Sequence, residues 1–171
     1  IKSSTKISGD YAVANFANNA NITINSATLE GKTCGLYHNG SNYGLKLKVT
    51  GTRINGSLDG TIGSENDPSG VYISGSASHG TMQNATFKNC TIKGATAIEV
   101  KYTDLTLDKC TVEATVKTPS YDKNSNGMTA LGFAVVSTDN SKAGETPVPT
   151  GTVTIKGNGS YTGLVGLGAL E

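Results

Sequence analysis

The sequence predicts an all-β solenoid of about five coils, and three observations carry that expectation. A ten-residue phrase recurs at a constant offset of 20 residues, ATFKNCTIKG at 85–94 and LTLDKCTVEA at 105–114. A repeat of that length with alternating apolar positions matches one coil of a solenoid. No helical apolar period is sustained anywhere, whereas period-two alternation recurs, as expected for thin β layers. The 22 Gly, the 6% aromatic content and the absence of Trp, set among abundant Asn, Ser and Thr, suit many turns and short strands better than a helical bundle.

Further copies of the phrase read ITINSATLEG at 22–31 and LKVTGTRING at 47–56, and VTIKGNGSYTG at 153–163 fits with one extra residue near Asn158. Stacked in parallel, the copies form inward ladders: Ala27, Thr52, Cys90 and Cys110, then Leu29, Ile54, Ile92 and Val112. A second short strand precedes each phrase or follows the one before it: YAVANF from Tyr11, GLYH from Gly35, GVYI from Gly70, AIEV from Ala97 and GFAVV from Gly132. Alternation places Leu36, Val71, Ile98 and Phe133 inside and their successors outside. Each coil thus has at least two strands. Asn39-Gly40 and Asn55-Gly56 are read as corners with positive φ.

Phrase starts lie 25, 38, 20 and 48 residues apart, so the excess over one coil leaves as loops within a single solenoid domain spanning 1–171. Two of them, 57–69 and 115–131, depart from the same corner, and a third, 138–150, carries Pro147 and Pro149 and leaves from another. Insertions on one side of a solenoid often frame its binding face.

The 14 Lys and Arg nearly balance the 13 Asp and Glu. No global field therefore draws nucleic acid or an anionic membrane, and no apolar stretch suits membrane insertion. The chain opens at Ile1 without a signal segment and reads as a piece of a larger exported protein. Leu170-Glu171 is set aside as a cloning scar. In the Gly-rich end, 163–170, the expectation is a cap across the last coil or a continuation into a neighbouring domain. Three cysteines cannot all pair. Cys90 and Cys110 would stack roughly 4.8 Å apart in adjacent coils, within reach of a disulfide, but its dihedral demands favour stacked free thiols. Cys34 reads as buried filler.

The outward ladder of the short strands, Tyr37, Tyr72, Glu99 and Ala134, is flanked by Gly35, Gly70, Ala97 and Gly132. Small flanking residues would leave stacked rings exposed, and rings beside a carboxylate suit the C–H faces and hydroxyls of a sugar. Tyr37, Tyr72, Glu99 and Lys101 are therefore the candidate ligand-binding residues, with Ser74 beside Lys101. The plainer alternative is that the tyrosines simply cover a β surface. DKNSNG places Asp122, Asn124, Asn126 and Gly127 at the spacing that opens a calcium loop, but Phe133 stands where the bidentate carboxylate belongs. Calcium is the one cofactor left open, against a polar loop. Asp59, Glu65, Asn66 and Asp67 read as a solvated turn, His38 as an interior histidine level with Ile73 and Val100, and His79 as a turn residue. No catalytic triad can be assembled.

The run GVYISG, ATFKNCTIKG, AIEVKYTDLTLDKCTVEA and GTVTIKGNGSYTG resembles the right-handed parallel β-helix repeats of the pectate-lyase-like superfamily, and more narrowly those of large secreted or surface-anchored bacterial proteins, adhesins among them. The resemblance spans roughly residues 11–163. It implies a right-handed parallel β-helix, an extracellular or cell-surface location and polysaccharide or surface-glycan partners. The lyases of that superfamily imply an Arg or Lys base beside calcium-binding carboxylates, and its hydrolases imply clustered aspartates. Arg53, the one arginine, aligns instead with Thr28, Thr91 and Thr111. The expectation is a non-catalytic adhesin-like or carbohydrate-binding module. A polysaccharide lyase or glycoside hydrolase and a structural spacer are the alternatives.

Overall fold

A computed structural model describes the chain apart from residues 3, 63–67, 126, 140–144, 147–148 and 169–171. Its strands, in order, are β1 Lys6–Asn15, β2 Asn21–Asn25, β3 Thr28–His38, β4 Lys46–Thr50, β5 Arg53–Asn55, β6 Ser69–Ile73, β7 Gln83–Lys88, β8 Thr91–Gly94 and β9 Thr96–Lys101. They continue as β10 Thr103–Asp108, β11 Thr111–Ala114, β12 Ser120–Tyr121, β13 Ala130–Leu131, β14 Phe133–Thr138, β15 Val153–Lys156, β16 Ser160–Thr162 and β17 Leu164–Leu167. A 3-10 turn, Ala77–His79, lies between β6 and β7.

All pairings but one are parallel and join a strand to its equivalent in the next coil, so the molecule is a parallel β-helix. Its coils have three faces, one more than the two strands read from the sequence. The first face stacks β2, β4, β7, β10 and β15. The second stacks β5, β8, β11 and β16 on the first halves of β1 and β3, and the third stacks β6, β9, β14 and β17 on their second halves. Five coils result, with β1 laid over the N-terminal end.

Each coil has one face more than the sequence suggests because the ten-residue phrase bends in its middle, dividing between the first and second faces. Ser26, Gly51, Asn89, Lys109 and Gly157 occupy this corner with φ of 52°, 56°, 52°, 55° and 72°. Their amides bridge to the following coil: Ser26 donates to Thr50 O at 2.8 Å, Gly51 to Lys88 O at 2.9 Å, Asn89 to Asp108 O at 2.9 Å and Lys109 to Lys156 O at 3.0 Å. These bonds help hold left-handed conformations that cost a non-glycine residue about 1–2 kcal/mol. Asn89 is thus an exposed corner residue and not part of a strand. Neither Gly40 nor Gly56 of the two Asn-Gly pairs is left-handed. Gly56 serves close approach instead.

Inside, the expected ladders form. Leu29, Ile54, Ile92 and Val112 stand in register and are buried, and Tyr161 completes the row. Cys90 and Cys110 are buried free thiols. Each thiol donates to backbone carbonyls, Cys90 Sγ to Lys88 O at 3.3 Å and Cys110 Sγ to Phe87 O at 3.4 Å. The Cys90 thiol is pushed far up by its Cys110 neighbour and by burial. The extra residue of the last phrase falls where expected: Asp108 faces Lys156 and Thr111 faces Ser160, leaving 157–159 opposite Lys109 and Cys110.

Two expectations are corrected. On the third face the residue level with Ile98 is Val135, not Phe133, and the one level with Glu99 is Val136, not Ala134. Phe133 instead packs with Ala130, Val136 and Tyr121 in a separate cluster, while Ala134 joins the main core. Of the two readings of the Gly-rich end, the cap is the one corrected: residues 163–168 add β17 to the third face and leave Leu164, Val165 and Leu167 exposed.

At the corner between the second and third faces, Gly31, Gly56 and Gly94 stack with Ala114. A Cβ on Gly56 would stand 1.9 Å from Ser69 O, so a methyl there must push the backbone of the third face outward. Gly56→Ala should cost about 3 kcal/mol, read as a lowered urea midpoint with unchanged β circular dichroism. An unaltered midpoint would show that the corner yields freely.

Candidate functional site

The loop at 115–131 decides what becomes of the third face. Leaving after β11, it pairs β12 with β13 antiparallel and folds back over β9 and β6 as a strap. The residues beneath it explain why it lies there. Thr129 N donates to both oxygens of Glu99, at 3.0 and 3.1 Å, and Thr129 Oγ1 donates to Glu99 Oε1 at 2.6 Å. Lys101 Nζ lies 3.6 Å from Glu99 Oε1 and donates to Gly127 O at 2.6 Å. Thr96 Oγ1 donates to Ala130 O at 2.7 Å, and Ser69 Oγ to Met128 Sδ at 3.3 Å. Met128 packs against Cys34, Tyr72 and Tyr37. The strap is thus fastened by apolar contacts at one rank and by a paired buried charge at the next.

The four sequence-predicted ligand residues come together, but not on an open surface. Tyr37 and Tyr72 stack with ring centroids 5.6 Å apart and an interplanar angle of 21°, and Lys101 Nζ sits 6.0 Å from the Tyr72 centroid. Tyr72 is only 3% exposed and Glu99 is 0% exposed. The small flanking residues do not bare the rings, because the strap covers them. What remains open is a cleft of about 340 Å³ between the strap and the corner turns, lined by Tyr37, Tyr72, Ser74, Lys101, Tyr121 and Thr129, with Asn39–Ser41 and His79 on the far wall.

The lining joins hydroxyls and phenols to two ammonium groups, Lys101 and Lys123, the His79 imidazole and one carboxylate, Asp139. Burial holds the phenols of Tyr37, Tyr72 and Tyr121 above the ordinary tyrosine value, with the Glu99 charge adding to the effect at Tyr72. Cys34 is pushed up to about 12 by burial, so its thiol stays protonated. Burial raises the Glu99 carboxyl against the opposing pull of Lys101 and Thr129. Glu99 is engaged by Thr129 and Lys101 and does not line the cleft. Lys101, Ser74 and Thr129, with the phenols, do.

Other candidates fall elsewhere. His38 is interior, level with Ile73, and its Nδ1 lies 2.9 Å from Asn15 Nδ2; burial lowers its pKa. His79 Nδ1 lies 3.1 Å from Gly40 O at the cleft wall. Arg53 is exposed on the second face, level with Thr28 and Thr91. Asp122 closes a local turn by accepting from Asn124 N at 2.8 Å, while Asn126 lies outside the described residues. Among the described residues no three His, Cys, Asp or Glu side chains gather as a metal site. Of the acidic loop only Asp59 is described; Glu65, Asn66 and Asp67 lie outside.

Sequence reasoning missed two rings. Tyr11 and Phe16 approach Tyr37 with centroids 4.8 and 5.7 Å away, tilted 45° and 46° to it. Tyr11 stands level with Cys34 and Ala14 with Tyr37, so aligning short strands by their aromatics conceals this cluster. Compared with protein-family models, curated proteins and solved structures, the chain matches none.

Removing one partner of a desolvated ion pair costs about 3–5 kcal/mol, because the other charge stays buried. Lys101→Met should destabilise the fold by that order at neutral pH, and adding Glu99→Gln should restore most of it. A carboxyl whose pKa is higher folded than unfolded binds its proton more tightly when folded. Its stabilising contribution is present at acid pH and lost as pH rises through the folded value. The Lys101→Met deficit should therefore shrink as the pH falls from about 7 toward about 4. Urea midpoints across that range that showed a constant deficit would mean Glu99 is not the stranded charge.

Proposed function

We propose that the protein is a non-catalytic module of a secreted or cell-surface protein, adhesin-like in role, that binds glycan in the strap-covered cleft. The observation that carries this reading is the Tyr37 ring, backed by the stacked Tyr72, at a cleft whose other groups are hydroxyls, the Lys101 and Lys123 ammonium groups, His79, Asp139 and backbone turns. Aromatic faces take up the apolar C–H side of a pyranose, and surrounding donors and acceptors fix its hydroxyls. Of the groups a polysaccharide lyase or hydrolase would use, Glu99 is spent on Thr129 and Lys101 and Arg53 belongs to another face, which leaves Asp139 as the one carboxylate among the described residues that line the cleft. A right-handed helix of the pectate-lyase-like kind, an extracellular setting and a bacterial source accord with this reading and rest on the sequence resemblance.

A glycan array probed with and without calcium tests it. Binding to a defined set of glycans is expected, and Tyr37→Ala should weaken it about tenfold, equivalent to 1.4 kcal/mol, with the fold intact by circular dichroism. A blank array in both conditions would leave the spacer reading ahead. Calcium dependence would return Asp122 to consideration.

A further inference from the structure

Resting on that reading, we infer that the site grips the end of a glycan chain, with Tyr11 and Phe16 guiding the next sugars. The strand order along the third face is β1, β3, β6, β9, β14. It sets Tyr11, Ala14 and Phe16 first, then Tyr37, then Tyr72, then Lys101, and finally Thr138.

At the β14 end the way is closed. Tyr121 of the strap packs with Phe133 and Val136, Thr138 Oγ1 donates to Asp139 O at 3.1 Å, and Thr138 and Asp139 are buried. A chain lying along the axis cannot continue past this wall. At the β1 end the way is open. Ala14 occupies the register position above Tyr37, with Tyr11 before it in β1 and Phe16 just past the end of β1, 40% and 62% exposed. Their rings tilt by 45° and 46° against Tyr37, so a small floor residue lies between two inclined rings. That is a trough aimed at the cleft. One terminal sugar fits between Tyr37, Ser74, Lys101 and the strap, and the trailing residues leave over Ala14 between Tyr11 and Phe16. The chemistry selects a hydroxyl-rich sugar at the closed end, where Ser74, Thr129, Lys101 and Asp139 offer hydrogen bonds. Both rim rings are exposed, so truncating them leaves the core alone.

The test uses cello-, manno- and chito-oligosaccharides of two to six residues, and the parent polymers, in calorimetric titration with the whole chain. Affinity should rise with length over the first few residues and then level off, and polymers should bind per chain end and not per sugar. A bulky block on one chain end should abolish binding, and the same block on the other end should leave it. Tyr11→Ala and Phe16→Ala should each weaken hexasaccharide binding about tenfold. Equal binding of both blocked forms, or polymer affinity growing with every added sugar, would overturn end recognition while keeping glycan binding. Hexasaccharide affinity unmoved by either ring substitution would overturn the guiding role. Absence of binding by every probe would overturn both this inference and the glycan reading beneath it.

Discussion

Everything in this molecule depends on in-register parallel stacking, in which each coil hands its backbone hydrogen bonds to the next. Because the register repeats, a residue choice made once is made again in every coil. The corner at Ser26, Gly51, Asn89, Lys109 and Gly157 shows what the constraint enforces. Three non-glycine residues accept a left-handed backbone there, held by amides that reach the neighbouring coil, and the interior ladder beside them turns at the same level each time. Where the last coil carries an extra residue, the excess is absorbed within 157–159 and the register of the flanking strands survives. The apolar ladders follow from the stacking, since a slip of one residue would turn Leu29, Ile54, Ile92 and Val112 outward together.

A periodic surface offers every coil the same environment, so a distinctive site needs something that breaks the period. Here the strap breaks it. Its attachment uses two side chains on β9, Glu99 and Lys101, that would be ordinary outward residues in an uncovered coil. Buried, they become costly unless paired, and they are paired with each other and with the strap backbone. The same contacts that fasten the strap take Glu99 out of chemical use and turn a flat tyrosine ladder into one side of a cleft. Binding geometry and loop anchoring are therefore one arrangement. A change at Met128, which packs on Tyr72 and Cys34 beneath the strap, acts on the cleft without lining it.

The parts of the fold legible from residues alone are those repeated coil by coil. The phrase ladders, the extra residue near Asn158, the interior place of His38 and the outward place of Arg53 all follow from aligning copies, because parallel stacking makes alignment and contact the same thing. Legibility failed where a local pattern imitated the repeat. Gly132-Phe133 looks like Gly70-Val71, yet the chain reaches that rank two residues later than the likeness implies, and Val135 takes the inward place. The bend inside each phrase escaped because Ser, Asn and Lys hold a conformation usually signalled by Gly. Covering of Tyr72 and Glu99 was invisible for a deeper reason. A loop has no coil-to-coil equivalent, and where it folds depends on partners such as Thr129 and Met128 whose sequence neighbours carry no periodic mark.

Tyr37, Tyr72, Glu99 and Lys101 were chosen together for an exposed ladder, and they are together for different reasons. Tyr72 and Glu99 build the floor and its fastening, Lys101 links fastening to cleft, and Tyr37 alone joins the covered part to the exposed rings of Tyr11 and Phe16. Its position makes it the hinge of the site's chemistry. Toward β6 its neighbour is a buried phenol under the strap; toward β1 it meets rings open to water. A ligand gaining apolar contact along this line trades solvent for aromatic surface only on the β1 side, since the β6 side is already dry. The gradient from wet rings to a closed polar end gives the cleft a direction. Coil-to-coil symmetry alone could not supply one.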